Sequence, residues 1–185
     1  MEKIIKLKKE DIKYLIVHHT ATPRDTTRFE SVKKYHIEKR GFWDIGYHYF
    51  INGKGKVIRG RPEEYVGAHC KTPPPSMNFR SLGICLAGNF EVEKPSEEQL
   101  ESLEVLLSYL KDKYKVPTEN VLGHCEVPYT ATLCPGKNLF SWLIRYRKGN
   151  REISKTEVLA MLEDAREKIN RVIETLTKKC EGGRT

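Results

Sequence analysis

Six histidines and five cysteines carry the candidate chemistry of this chain. His18 and His19 close a short apolar run, Tyr14-Leu15-Ile16-Val17, that reads as a buried strand. His124 closes a second short strand that starts at Val121, and Cys134 follows ten residues later in an irregular loop held by Pro135-Gly136. Strand ends at one edge of an α/β sheet are where such folds place their sites. Two imidazoles and one thiolate from separate segments suit zinc, and three protein ligands leave a fourth position for water. Neighbouring strand residues point to opposite faces, so only one of His18 and His19, and one of His124 and Cys125, can face a common metal. Spacing does not choose within either pair. There is no HExxH helix and no paired CxxC, which excludes a zincin and a zinc finger. His36 lies on the apolar stripe of a predicted helix and reads as packing. His48 alternates with Tyr47 and reads as core-facing. Cys70, Cys85 and Cys180 receive no role.

The elements that must position these residues are legible as punctuation and periodicity. Arg28 to Arg40 carries Phe29, Val32, Tyr35 and His36 at helical spacing, with Gly41 as the stop. Tyr47 to Ile51 and Lys56 to Gly60 are β-rich runs joined by Asn52-Gly53-Lys54-Gly55, a hairpin signal. Leu82 to Ala87 predicts another buried strand. Ser96-Glu97-Glu98-Gln99 is a capping box that opens a helix with the stripe Leu100, Leu103, Leu107, Leu110 and Tyr114. A short helix is predicted from Asn138 to Arg147. Strands alternating with helices, plus a hairpin, predict an α/β fold with a mixed central sheet flanked by helices.

The predicted organisation is a domain over 1–147, a polar hinge over 148–153 and an appendage over 154–185. In the appendage a second capping box, Ser154 to Glu157, opens a long amphipathic helix. Its stripe of Val158, Leu162, Ala165, Ile169, Val172 and Leu176 is heptad-like, and Leu159 and Ile173 broaden it. Such a stripe predicts docking or self-association.

The 185 residues carry 33 Lys+Arg against 25 Asp+Glu, a formal charge of +8 that favours an anionic partner. No apolar run approaches the roughly 18 residues that span a bilayer, and Met1 to Leu15 shows no apolar signal-peptide core. The expectation is a protein without a membrane span, cytoplasmic as made. The odd cysteine count and irregular spacing argue against a disulfide framework. No helix-turn-helix, RNP-like aromatic motif or dense basic helix supports specific nucleic-acid binding.

Five ordered motifs carry a family resemblance: IVHHTAT (16–22), GYHYFING (46–53), GR…VGAHC (60–70), SLGICLAGNF (81–90) and VLGHCEVPYTATLCPG (121–136). Together, over roughly Leu15 to Phe140, the chain resembles the zinc-dependent N-acetylmuramoyl-L-alanine amidases of the type-2 group, which includes phage endolysins, wall and recycling amidases, and animal peptidoglycan recognition proteins.

The resemblance implies zinc ligands His18, His124 and Cys134, with His19 turned away and Cys125 a bystander. It implies a catalytic Tyr47 and a second catalytic position at Thr132, where many phage and bacterial members carry lysine and the active recognition proteins carry threonine. His69 matches a histidine on the substrate-groove wall. The implied reaction is hydrolysis of the amide between N-acetylmuramic acid and L-alanine, with peptidoglycan or muropeptides as partners. Charge and leader-free start point to a phage or prophage endolysin that reaches the cell wall once released. A muropeptide-recycling amidase and a non-catalytic peptidoglycan-binding module are the alternatives.

Overall fold

The computed structural model describes residues 2–149 and, beyond them, residues 159, 162, 163, 166, 167 and 169–171. Among the described residues, β1 (Tyr14–His19), β2 (Tyr49–Ile51), β3 (Val57–Arg59), β4 (Ser81–Leu86) and β5 (Val121–Gly123) form one sheet in the order β3-β2-β4-β1-β5. Three α-helices accompany it: α1 (Phe29–Arg40), α2 (Glu97–Tyr114) and α3 (Lys137–Arg147). β1 pairs in parallel with β4 and β5, β4 pairs in parallel with β2, and the β2–β3 hairpin is antiparallel. The mixed α/β sheet expected from the sequence is the observed architecture.

Alternation along the strands divides the interior in two. Leu15 and Val17 of β1, Ile51 of β2, and Leu82, Ile84 and Leu86 of β4 join Leu103, Leu107 and Leu110 of α2 and Leu139 and Leu143 of α3 in the main core. The intervening residues face the other way. Ile16 packs with Cys70, Met77 and Val127, and Phe50 packs with Cys85, Phe29 and Val32. His18 lies in register with Cys85, and Cys85 with Phe50, so His18 shares this second face.

The helix signals act as their chemistry requires. Ser96 Oγ accepts from the Gln99 N–H and Gln99 Oε1 accepts from the Ser96 N–H. The same Gln99 side chain, fully buried, donates to the Ala87 carbonyl, so the cap also ties α2 to the end of β4. In the hairpin, Asn52 Oδ1 accepts from the Lys54 and Lys56 N–H groups. α1 departs from expectation, because it buries no residue fully and leaves Tyr35 half exposed. Six of its twelve residues are charged, and Phe29 and Val32 alone reach the Phe50 cluster.

The chain divides into two units, Met1–Asn150 and Arg151–Thr185. In the second, the described residues are helical, and Leu159, Leu162 and Ile169 are exposed. The capping box at Ser154, together with Val158, Ala165, Val172, Ile173, Leu176 and Cys180, lies outside the described residues.

His48 fastens the loop before β2 to the sheet. Its Nδ1 accepts the Gly83 N–H at 2.9 Å and its Nε2 bonds the Tyr65 carbonyl at 3.0 Å. The neutral ring with its proton on Nε2 is the form that satisfies both bonds, since a protonated Nδ1 would face another donor. Burial accordingly pulls its pKa down to about 4. An unfolded histidine titrates near 6.5, so between those values the unfolded chain binds more protons, and stability falls as pH drops through that window. His48 alone contributes about 3 kcal/mol to this loss, and His36, also lowered by burial to about 4, acts in the same direction. Urea unfolding at pH 7, 5.5 and 4.5 is expected to show that decline, with a shallower slope in His48→Gln. An equal slope in the variant would contradict the assignment.

Candidate metal centre

The parallel pairing of β1 brings the ends of two strands side by side. His18 sits one residue from the end of β1, and β5 stops at Gly123, immediately before His124. A short helical turn, His124–Glu126, then reverses the chain. Glu126 fixes that turn: its carboxylate accepts the Gly123 N–H at 2.8 Å and a forked pair of bonds from Arg147 of α3 at 2.7 and 2.8 Å. Such bidentate charge-assisted contacts set direction as well as energy. The loop returns to the sheet at Cys134, whose carbonyl accepts the Cys125 N–H at 2.7 Å.

His18, His124 and Cys134 therefore meet, with one donor atom from each lying within 4.8 Å of the others. The His18 and His124 ring centroids are 4.6 Å apart, and His18 Nδ1 lies 3.6 Å from Cys134 Sγ. The adjacent pairs, which spacing left open, separate in space. His19 turns to the α2 side, where its Nδ1 accepts the Phe90 N–H. Cys125 is outside the cluster and contributes its backbone bond to Cys134.

Burial sets the protonation of the cluster. It holds His18 well below the ordinary histidine range, assisted by neighbouring His69 and His124, and it lowers His124 as well. Both imidazoles are neutral at pH 7, the form that ligates a metal. Burial pushes the Cys134 thiol up to about 12, against the pull of the His19 N–H that donates to its sulfur at 3.4 Å. Burying this thiolate favours a positive partner to neutralise it, and that backbone N–H is already placed to support it. Two neutral nitrogens and one sulfur, converging from three segments, are a donor set that fits zinc.

The remaining predicted residues surround this cluster. The Tyr47 ring centroid is 5.2 Å from that of His18, and burial, with the Cys85 and Cys134 thiols beside it, raises the phenol so that it stays protonated. His36 reaches back from α1 to accept the Gly46 N–H at 3.0 Å, and its ring centroid lies 5.4 Å from that of Tyr47. The Thr132 hydroxyl oxygen accepts the Cys134 N–H at 3.1 Å, which leaves its proton free to donate. His69, which the resemblance places on the groove wall, is 8% exposed, and its Nδ1 lies 3.0 Å from His18 Nε2.

Two supports escaped the reading of the sequence. Glu126 stands three residues after Gly123 and accepts its N–H, but glycine has no side chain to return the bond, so the pair lacks the Ser/Thr signature of a capping box. Asn78, whose Oδ1 accepts the N–H groups of His69 and Cys70, carries no local signature.

Comparison with known proteins agrees with this geometry. The family profile described as N-acetylmuramoyl-L-alanine amidase (Amidase_2) matches residues 8–137. The Drosophila melanogaster peptidoglycan-recognition protein LB is 33% identical over 136 residues, 69% of this chain and 56% of its own length. The Sus scrofa N-acetylmuramoyl-L-alanine amidase is 31% identical over 150 residues, 76% of this chain but 24% of its own length. The chain thus spans about half of the first relative and a quarter of the second. The solved endolysin N-acetylmuramoyl-L-alanine amidase LysCS from Clostridium intestinale URNW superposes with a TM-score of 0.66 at 30% identity, covering 81% of this chain and 90% of that one. With a profile match that takes in both histidines and the cysteine of the cluster, this chain belongs to the N-acetylmuramoyl-L-alanine amidase family.

Proposed function

We propose that the protein is a zinc-dependent hydrolase of the amide between N-acetylmuramic acid and L-alanine in peptidoglycan, acting as a phage or prophage endolysin. The observation that carries this reading is the convergence of His18, His124 and Cys134 beside a protonated Tyr47. Many recognition proteins of this family bind peptidoglycan without cutting it, and an intact nitrogen and sulfur donor set favours the catalytic branch. The likeness to an endolysin over 90% of its length and the net charge of +8, suited to an anionic wall, favour the endolysin role.

His18, His124 and Cys134 would hold the zinc, which when bound supplies Lewis acidity that brings water towards ionisation near neutral pH and polarises a carbonyl. The chain's own groups do the rest. Tyr47, protonated, donates from its hydroxyl to the oxygen on which charge develops as the amide carbonyl is attacked. The Thr132 oxygen is held by the Cys134 N–H, so its proton points elsewhere and serves as a second, neutral donor. His36 holds the backbone at Gly46 and so sets the place of the Tyr47 ring.

Metal analysis should find one zinc per chain in the unaltered protein and strong loss in His18→Ala, His124→Ala and Cys134→Ala. His19→Ala and Cys125→Ala should keep the metal. Full zinc in Cys134→Ala would contradict the ligand set.

Tyr47→Phe removes one hydroxyl and keeps the ring, so zinc and fold should survive while hydrolysis of peptidoglycan falls by about 10²–10³. Thr132→Ala should lose less. A Tyr47→Phe rate equal to that of the unaltered protein would remove Tyr47 from the mechanism. In the same assay, release of alanine N-termini from intact sacculi supports the endolysin role. Activity confined to soluble anhydro-muropeptides would identify a recycling amidase instead.

Every proposed site residue precedes the boundary between the two units at Asn150 and Arg151. A chain ending at Gly149 should therefore bind zinc and hydrolyse a small muropeptide at close to the full rate. A folded, zinc-loaded but inactive truncation would place part of the site beyond that boundary.

A further inference from the structure

His69 is held more firmly than a residue of a groove wall needs to be. Its ring occupies a slot that exists only because two neighbours lack side chains. A Cβ on Gly83 would come within 2.4 Å of His69 Cγ, and one on Gly67 within 2.5 Å of its Cδ2. Behind it stands the His48 ring, 5.7 Å away between centroids and fixed at both nitrogens. In front of it stands His18, 5.0 Å away. Asn78 Oδ1 takes the backbone N–H groups of His69 and Cys70 at 3.0 and 2.8 Å, so the main chain is fixed too. From this slot Nδ1 makes the bond to His18 Nε2, and Nε2 is buried.

The two nitrogens of His18 therefore point to different tasks. Nδ1 is the one on the side of Cys134, at 3.6 Å from its sulfur, and Nε2 is the one bonded to His69. A neutral imidazole that gives one lone pair to a metal must carry its proton on the other nitrogen. With Nδ1 facing the metal, His18 donates from Nε2 and His69 Nδ1 accepts. The proton of His69 then lies on Nε2, and no ring in the stack needs a charge.

We propose that His69 is a positioning residue for the metal ligand His18: by accepting the Nε2 proton it fixes the tautomer and the ring angle that turn the Nδ1 lone pair towards zinc. It acts through His18. A group behind a metal-bound histidine orients the ring and raises its basicity, and its removal typically weakens metal binding about 10–100-fold. This inference rests on the zinc reading above.

The test is zinc affinity of the full chain by competition with a chromophoric chelator, for the unaltered protein, His69→Leu and His69→Gln. His69→Leu removes the acceptor, and zinc affinity should fall about 10–100-fold. His69→Gln supplies an amide oxygen as acceptor and should recover most of it. In hydrolysis of a small muropeptide by zinc-saturated protein, kcat should fall in His69→Leu with KM little changed. Unchanged zinc affinity in His69→Leu, or an equal loss in both variants, would overturn the inference. So would a rise in KM alone, which is the mark of a substrate contact. A measurement without mutation stands beside these in case His69→Leu does not fold. In zinc-loaded, ¹⁵N-labelled protein, the His18 Nε2 proton should show a through-hydrogen-bond coupling to His69 Nδ1. Absence of that coupling, or a proton resident on His69 Nδ1, would overturn the proposal. An unaltered protein that takes up no zinc would overturn the functional reading itself, whereas normal zinc with an indifferent His69 defeats the positioning role alone.

Discussion

The site depends on where β1 ends, and that is fixed by pairing on both sides. β1 is bonded in parallel to β4 along its whole length and to β5 over three residues. A strand held on both edges cannot slip by one residue without moving its entire apolar set to the wrong face. Leu15 and Val17 are fully buried towards α2 and α3, and Ile16 towards the other side. That register leaves His18 no choice of face. It also brings the start of the His124 turn alongside, because β5 stops at the residue opposite Val17.

A cluster of buried imidazoles and thiols is costly unless its protonation and hydrogen bonding are arranged. Here the cost is limited by neutrality. His18, His48 and His69 are all held below the ordinary histidine range, chiefly by burial, so no ring brings an uncompensated charge inside. Glu126 and Arg147 neutralise one another beneath the His124 turn, where both are partly buried. Cys134, partly buried, stands to gain a charge, and a bound divalent cation is the partner that would compensate it. Metal binding and local stability would then be one equilibrium: an ion would stabilise the loop that carries Cys134, and the loop would present the sulfur.

Much of this was legible in the residues. The β1 run, the Asn52–Gly55 hairpin and the Ser96–Gln99 capping box are local signals, each with one physical solution, and all three appear as read. Alternation correctly warned that His18 and His19 cannot share a face, but could not say which face would carry the chemistry. That choice depends on what packs against the sheet, a long-range property absent from any window of sequence. The same holds for α1, whose helical spacing was visible while its shallow burial was not. The position of His69 behind His18 was hidden for a further reason. It requires space left by Gly67 and Gly83 on two different segments, and a missing side chain announces nothing until the neighbour that fills the gap is known.

The central claim is that two imidazoles and one thiolate of this chain hold a zinc ion with a position left open. X-ray absorption at the zinc edge, on the purified protein, observes that coordination directly. The account predicts one sulfur at about 2.3 Å and two imidazole nitrogens at about 2.0–2.1 Å, with one further light-atom ligand. A shell without sulfur, or one closed by four protein ligands, would contradict it.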